Sequence, residues 1–131
     1  LAQGILTDRI HEILLNSGMK NHLINFGEGK SSGLGPHEKK WTLYVDNKYI
    51  DITNKGFSVS EANSTILPDG KSHLFNAKIY NSALNIPSKT TVIAKSATLA
   101  DGLSTTYAVS NKIVRNNLIK HFSDAQFIIN T

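Results

Sequence analysis

Hydrophobic and polar positions regroup along the chain, and each change of period marks an element. Leu6, Ile10, Ile13 and Leu14 fall on one stripe of a helical repeat that ends at Gly18, which predicts a first helix with a glycine stop. Residues 22–26 read as a strand, and residues 41–45 and 49–52 flank Asp46-Asn47-Lys48 as the arms of a hairpin. Further strands are expected over 57–60, 74–78, 90–94 and 126–129. Residues 91–94 are β-branched and apolar, whereas Leu99, Leu103 and Tyr107 recur at helical spacing, so the period lengthens from two to about 3.6 near Ser96. Helices are therefore predicted over 98–109 and 112–121, between the final strands. Helices set apart from a mostly antiparallel sheet make the fold class α+β.

Gly27 opens a glycine- and serine-rich stretch, residues 27–36, that reads as a loop joining two strands. A phosphate cradle would need those glycines to lead straight into a helix, and a strand over 41–45 follows instead. The 131 residues match one domain or a piece of one. No apolar run is long enough to span a bilayer, and the first residues lack the basic-then-apolar order of a secretory leader. The chain has no cysteine, which excludes disulfides and thiolate metal sites. The net charge of +4 is modest, and the basic residues are scattered. No nucleic-acid face is expected, and Lys112, Arg115 and Lys120 read as a solvated side of the last helix.

Candidate chemistry centres on Asp101 and Thr105. Four apart on a helix, they share one face and can point two hard oxygen atoms at one cation, a donor set that suits Mg²⁺ or Ca²⁺ better than zinc. On spacing alone such a pair more often faces water or caps something local than it holds a metal. His11, His22, His37 and His121 share no spacing with carboxylates, so no zinc site is expected. Ser72 lacks the partners of a nucleophilic triad. Glu61 and Asp69 have nothing that positions them as an acid/base pair, and Asp69-Gly70 is more simply a turn. Asp8 is expected at the first turn of its helix, where a carboxylate complements the dipole.

Stretches spread over nearly the whole chain are similar to motifs of the ApbE family of flavin transferases. Leu1-Ala2-Gln3-Gly4-Ile5-Leu6-Thr7-Asp8-Arg9 resembles the family's I-A-K-G-Y-A-V-D-R segment, which opens a helix. His22-Leu23-Ile24-Asn25-Phe26-Gly27-Glu28 is similar to a strand ending in N-L-G-G-(D/E), with Asn25 and Gly27 kept and one glycine replaced. Asp69-Gly70-Lys71-Ser72-His73-Leu74-Phe75-Asn76-Ala77 resembles D-G-K-x-Y-S-H-I-I-D-P. Residues 92–105 resemble V-I-A-P-x-A-x-L-A-D-A-L-(A/S)-T, in which the Asp and the Thr are metal ligands.

The resemblance implies the C-terminal part of a T-fold-like structure, with residues 1–131 as a single domain or domain fragment. It implies a transferase that takes FAD and Mg²⁺, moves FMN onto a threonine of a flavin-accepting partner protein and releases AMP. In that scheme Asp101 and Thr105 hold the metal, His73 is catalytic, and Gln3 and His73 lie against the flavin. It also implies a bacterial protein in a periplasmic or extracytoplasmic location. Membrane association would come only through an anchor ahead of Leu1, where a further metal contact and the half covering the FAD would also lie. Gln3 departs from the family's Lys or Glu, and Asn76-Ala77 from its Asp-Pro. These departures keep open a noncatalytic ApbE-like module that binds flavin or another protein.

Overall fold

The computed structural model describes residues 1–61, 67–68, 74–76, 81–82 and 87–130. Helix α1 (Ala2–Asn16) precedes strands β1 (His22–Asn25) and β2 (Gly29–Ser32), and a short 3-10 turn (Pro36–Glu38) leads to β3 (Thr42–Val45) and β4 (Lys48–Asp51). Strand β5 (Gly56–Glu61), the short β6 (Phe75–Asn76) and β7 (Asn81–Ser82), and β8 (Lys89–Ala94) follow. Helices α2 (Ala97–Val109) and α3 (Lys112–His121) then precede the last strand, β9 (Gln126–Asn130).

Five strands form one sheet in the order β1-β2-β5-β8-β9, each pair of neighbours antiparallel, while β3–β4 and β6–β7 are separate two-stranded ribbons. The α+β class is therefore as expected. So are both later helices and, within a residue or two, the strands around them. Of the strand expected over 74–78, residues 75–76 pair with β7, and residues 77–78 lie outside those described. In the β3–β4 hairpin Asp46 and Asn47 both adopt left-handed backbone, φ 52° and 60°, as a two-residue turn matched to strand twist requires.

The register gives the sheet two faces. Val92 and Ala94 of β8 turn towards α2, where they meet Ala100 and Leu103, with Leu99, Leu118, Phe122 and Phe127 around them. Phe57 of β5 pairs with Ile93 of β8, and both turn the other way, onto Ile52, Trp41, Leu43, Ile50 and Ile128. The alternation of side chains along a strand thus divides the core into two clusters.

The stretch expected as a loop over residues 27–36 contains β2, a strand whose four residues are all buried. It lacks apolar alternation because it packs through a glycine and through polar side chains that bond to neighbouring carbonyls. A side chain at Gly29 would strike the Phe57 ring, Ser31 Oγ donates to the Ile52 carbonyl, and Lys30 Nζ donates to the Lys95 carbonyl at 2.7 Å.

The stripe expected to bury α1 is also corrected. Leu6 and Ile13 are each 55% exposed, and the buried face carries Gly4 and Thr7 instead. A Cβ on Gly4 would sit 2.8 Å from the Ala97 carbonyl oxygen and from Thr98 Cα, so α1 meets α2 too closely for a stripe of large side chains. Arg115, expected on a solvated side, donates from Nε to the Tyr107 carbonyl and from Nη2 to the Ala108 carbonyl, both at 2.9 Å. It thereby adds a side-chain donor to carbonyls at the end of α2, one of which, Tyr107's, also accepts from the Ser110 amide at 3.3 Å.

Candidate functional site

The start of α2 is fixed from two sides. Ser96 Oγ accepts from the Leu99 amide at 3.1 Å, a conventional cap. Asp8 adds a second: its carboxylate accepts from the Ala97 and Thr98 amides at 2.9 and 2.8 Å and from Thr98 Oγ1 at 2.6 Å. Asp8 therefore serves the first turn of α2 rather than that of its own helix, and it ties α1 to α2.

One turn further along α2, Asp101 is 5% exposed although it carries a carboxylate. Its Oδ2 accepts from the Gly4 amide at 3.1 Å and lies 2.8 Å from the Leu1 amino nitrogen. The close contact at Gly4 brings that amide within reach. Thr105, four residues on, is exposed, with Oγ1 3.4 Å from Ser60 Oγ. Between them in sequence, Ser104 donates to the Asp101 carbonyl at 3.1 Å and meets Ser58 Oγ and Ser60 Oγ, each at 2.8 Å. The seam between β5 and α2 is thus lined with hydroxyls where the other face of β5 carries Phe57.

Glu28 closes the same end of the molecule. It sits in the turn joining β1 to β2, its carbonyl accepts from Thr7 Oγ1 at 3.4 Å, and its side chain is buried, with the residue 8% exposed. Carboxylate oxygen Oε2 has no hydrogen-bond partner. Burial pushes the Glu28 carboxyl above its ordinary range, and the nearby negative charge of Asp101 adds to this. The Ser58 hydroxyl and the Leu1 amino group act in the opposite direction. The Gln3 amide lies over Gly27, the residue before Glu28.

Of the residues predicted for the site, Asp101 and Thr105 lie one turn apart on α2, and Gln3 precedes the Gly4 whose amide bonds Asp101. His73, with residues 69–72, lies outside the described residues. Sequence reasoning gave no part to Glu28, Ser58, Ser60 or Ser104. A signal existed in β5, where Phe57-Ser58-Val59-Ser60 alternates and places two serines on a single face. Among the described residues no group of three or more His, Asp or Glu side chains could hold a metal. A carboxylate and a hydroxyl one helical turn apart nonetheless fit Mg²⁺, which is often bound through one or two carboxylates, with waters and substrate phosphates completing its shell.

A mixed sheet-and-helix domain with a buried acid at a hydroxyl-lined helix seam is the arrangement that emerges, and comparison with known proteins gives it a family. The chain belongs to the ApbE family, whose model matches residues 1–129. Among solved structures it is similar to the flavinyl transferase ApbE of Pseudomonas stutzeri in its apo form, at 25% identity and a TM-score of 0.78, over 97% of this chain and 42% of that one. It shares its fold with the flavin transferase ApbE of Vibrio cholerae, at 18% identity and a TM-score of 0.78, over 100% of this chain and 49% of that one. The ApbE protein of Thermotoga maritima has the same fold, at 22% identity and a TM-score of 0.82, over 98% and 46%. The chain spans less than half the length of these relatives. No curated protein matches it.

Proposed function

We propose that the chain forms the metal-binding part of an enzyme that transfers FMN from FAD to a threonine hydroxyl of a partner protein. The observation that carries this reading is the buried Asp101 with Thr105 one turn beyond it, on a chain of a family that includes flavin transferases. In the reaction the threonine oxygen bonds to the flavin-side phosphorus of FAD, the bond to the AMP phosphate breaks, and the hydroxyl proton passes to solvent. A Mg²⁺ bound at Asp101 and Thr105 would supply neutralisation of charge on the pyrophosphate and the departing AMP. Asp101 is held in place for that task by the Gly4 amide, and Ser104 anchors the helix between the two ligands. Gln3, whose side chain lies beside Gly27, and His73 are the residues proposed to touch the flavin.

FAD titration followed by flavin fluorescence tests this, with and without Mg²⁺, in the wild type and in Asp101→Ala. The reading predicts binding that tightens with Mg²⁺ and loses that dependence in the variant, followed by FMN transfer to an acceptor threonine. Equal binding in both proteins overturns the role of Asp101. Tight binding without transfer favours the noncatalytic module, the reading supported by Gln3 and Asn76 in place of the family's residues.

A further inference from the structure

The Glu28 carboxyl is the buried acid that the reading above does not use. A carboxylate removed from water is costly unless it is paired or hydrogen-bonded, and an orphaned oxygen on one calls for a missing water or ion. Glu28 is more than nine-tenths buried, its Oε2 has no partner, and its neighbours are the Asp101 carboxylate and the Ser58 hydroxyl. Two buried acids close enough to repel each other, one of them with an unpartnered oxygen, form a receptor for positive charge.

We propose that Glu28 supplies a further oxygen ligand to the divalent cation held at Asp101, so that the β1–β2 turn and α2 grip the ion together. The proposal rests on the metal role given to Asp101 and Thr105 above. The turn is built to hold the carboxyl there. Thr7 of α1 reaches the Glu28 carbonyl, the Phe26 amide bonds back to that same carbonyl at 3.1 Å, and Gly27 takes the left-handed backbone (φ 96°) between them. A donor set of two carboxylates and a hydroxyl is all hard oxygen, which selects Mg²⁺ or Mn²⁺ over zinc.

Mn²⁺ serves as a paramagnetic probe, titrated into the intact protein without FAD and followed by electron paramagnetic resonance. Glu28→Gln, Glu28→Asp and Asp101→Ala are measured beside the wild type. Circular dichroism checks that each variant is folded. The proposal expects Glu28→Gln, nearly the same shape without the charge, to weaken Mn²⁺ binding by about tenfold or more, as loss of a group in a metal's surroundings does. Glu28→Asp, which keeps the charge but withdraws it by one methylene, is expected to weaken binding as well. If Glu28→Gln binds like the wild type while Asp101→Ala does not, Glu28 is not a ligand and the role of Asp101 stands. If Glu28→Asp alone binds like the wild type, charge at a distance suffices and direct ligation is overturned. Should Mn²⁺ bind Asp101→Ala as tightly as the wild type, or not bind the wild type at all, the metal reading itself falls and this proposal with it.

Discussion

The two faces of β5 have opposite chemistry. Phe57 points into an apolar cluster with Ile52 and Ile93, while Ser58 and Ser60, the next residues of the alternation, point under α2 onto Ser104. Both faces are buried: Ser58 is no more exposed than the best-buried core residues. The apolar face gains stability from area removed from water, in proportion to that area. The polar face gains little from its hydroxyls beyond what their mutual bonds return, and it carries two acids, Glu28 and Asp101, at the end of the seam. A strand that hides hydroxyls under α2, beside the apolar cluster that β8 packs against the same helix, is organised for something besides stability. Departures of this kind from simple patterning are expected at functional sites.

The strongest way to test that division is to damage the apolar face. Phe57→Ala removes a ring packed on Ile52 and Ile93 and covering Gly29, and the expected loss is about 3–5 kcal/mol by urea denaturation. Mn²⁺ binding per folded molecule should survive. A loss below about 1 kcal/mol would show that this face is not the principal core.

A change on the polar face should cost less and depend on context. Ser104→Ala deprives Ser58 and Ser60 of their shared partner, with an expected loss of about 1–3 kcal/mol. The triple variant Ser58→Ala, Ser60→Ala and Ser104→Ala removes the hydroxyls together and should be less destabilised than the sum of the single changes, because the three no longer leave one another unpaired. Simple additivity in the denaturation midpoints would mean that the three hydroxyls do not act as a network.

The apolar positions on both faces were the legible ones. Residues 57–60 and 90–94 alternate or run apolar, and Leu99 and Leu103 mark the buried side of α2, so pattern alone places the antiparallel pair and the helix across it. Strand β2 escaped because Gly-Lys-Ser-Ser has no hydrophobic signal; what makes it central is backbone close to Phe57, visible only once β5 is in place. The stripe on α1 misled for a related reason. Its fully buried residues are those small enough for α2 to approach; of the predicted stripe Ile10 and Leu14 are half-buried while Leu6 and Ile13 stay outside. In the candidate site, Asp101 and Thr105 were readable because they lie on one helix. Glu28 comes from a turn more than seventy positions away, and nothing in the linear pattern links it to them.

The smallest effect expected is one of pH, and it too should be confined to the polar side. His11 on α1 has Nδ1 2.8 Å from Nε2 of His22, whose own Nδ1 donates to the Met19 carbonyl at 2.8 Å. Partial burial lowers the His11 pKa from its ordinary 6.5, the positive charges of Lys30 and His22 add to this, and Asp8 and Glu12 offset part of it. Because the folded value lies below the unfolded one, the unfolded chain takes the proton first as pH falls. Stability that is complete above 6.5 is therefore lost progressively between 6.5 and the lowered folded value, and is constant below it. His11→Asn keeps an amide donor towards His22 and cannot titrate, so its urea midpoint should fall less than that of the wild type between pH 8 and pH 5. Phe57→Ala, which removes a ring packed on Ile52 and Ile93 and leaves the His11–His22 pair in place, should reproduce the wild-type pH dependence at a lower stability. Parallel losses in the wild type and His11→Asn would assign the acid sensitivity to other groups and remove His11 from the contrast between the two faces.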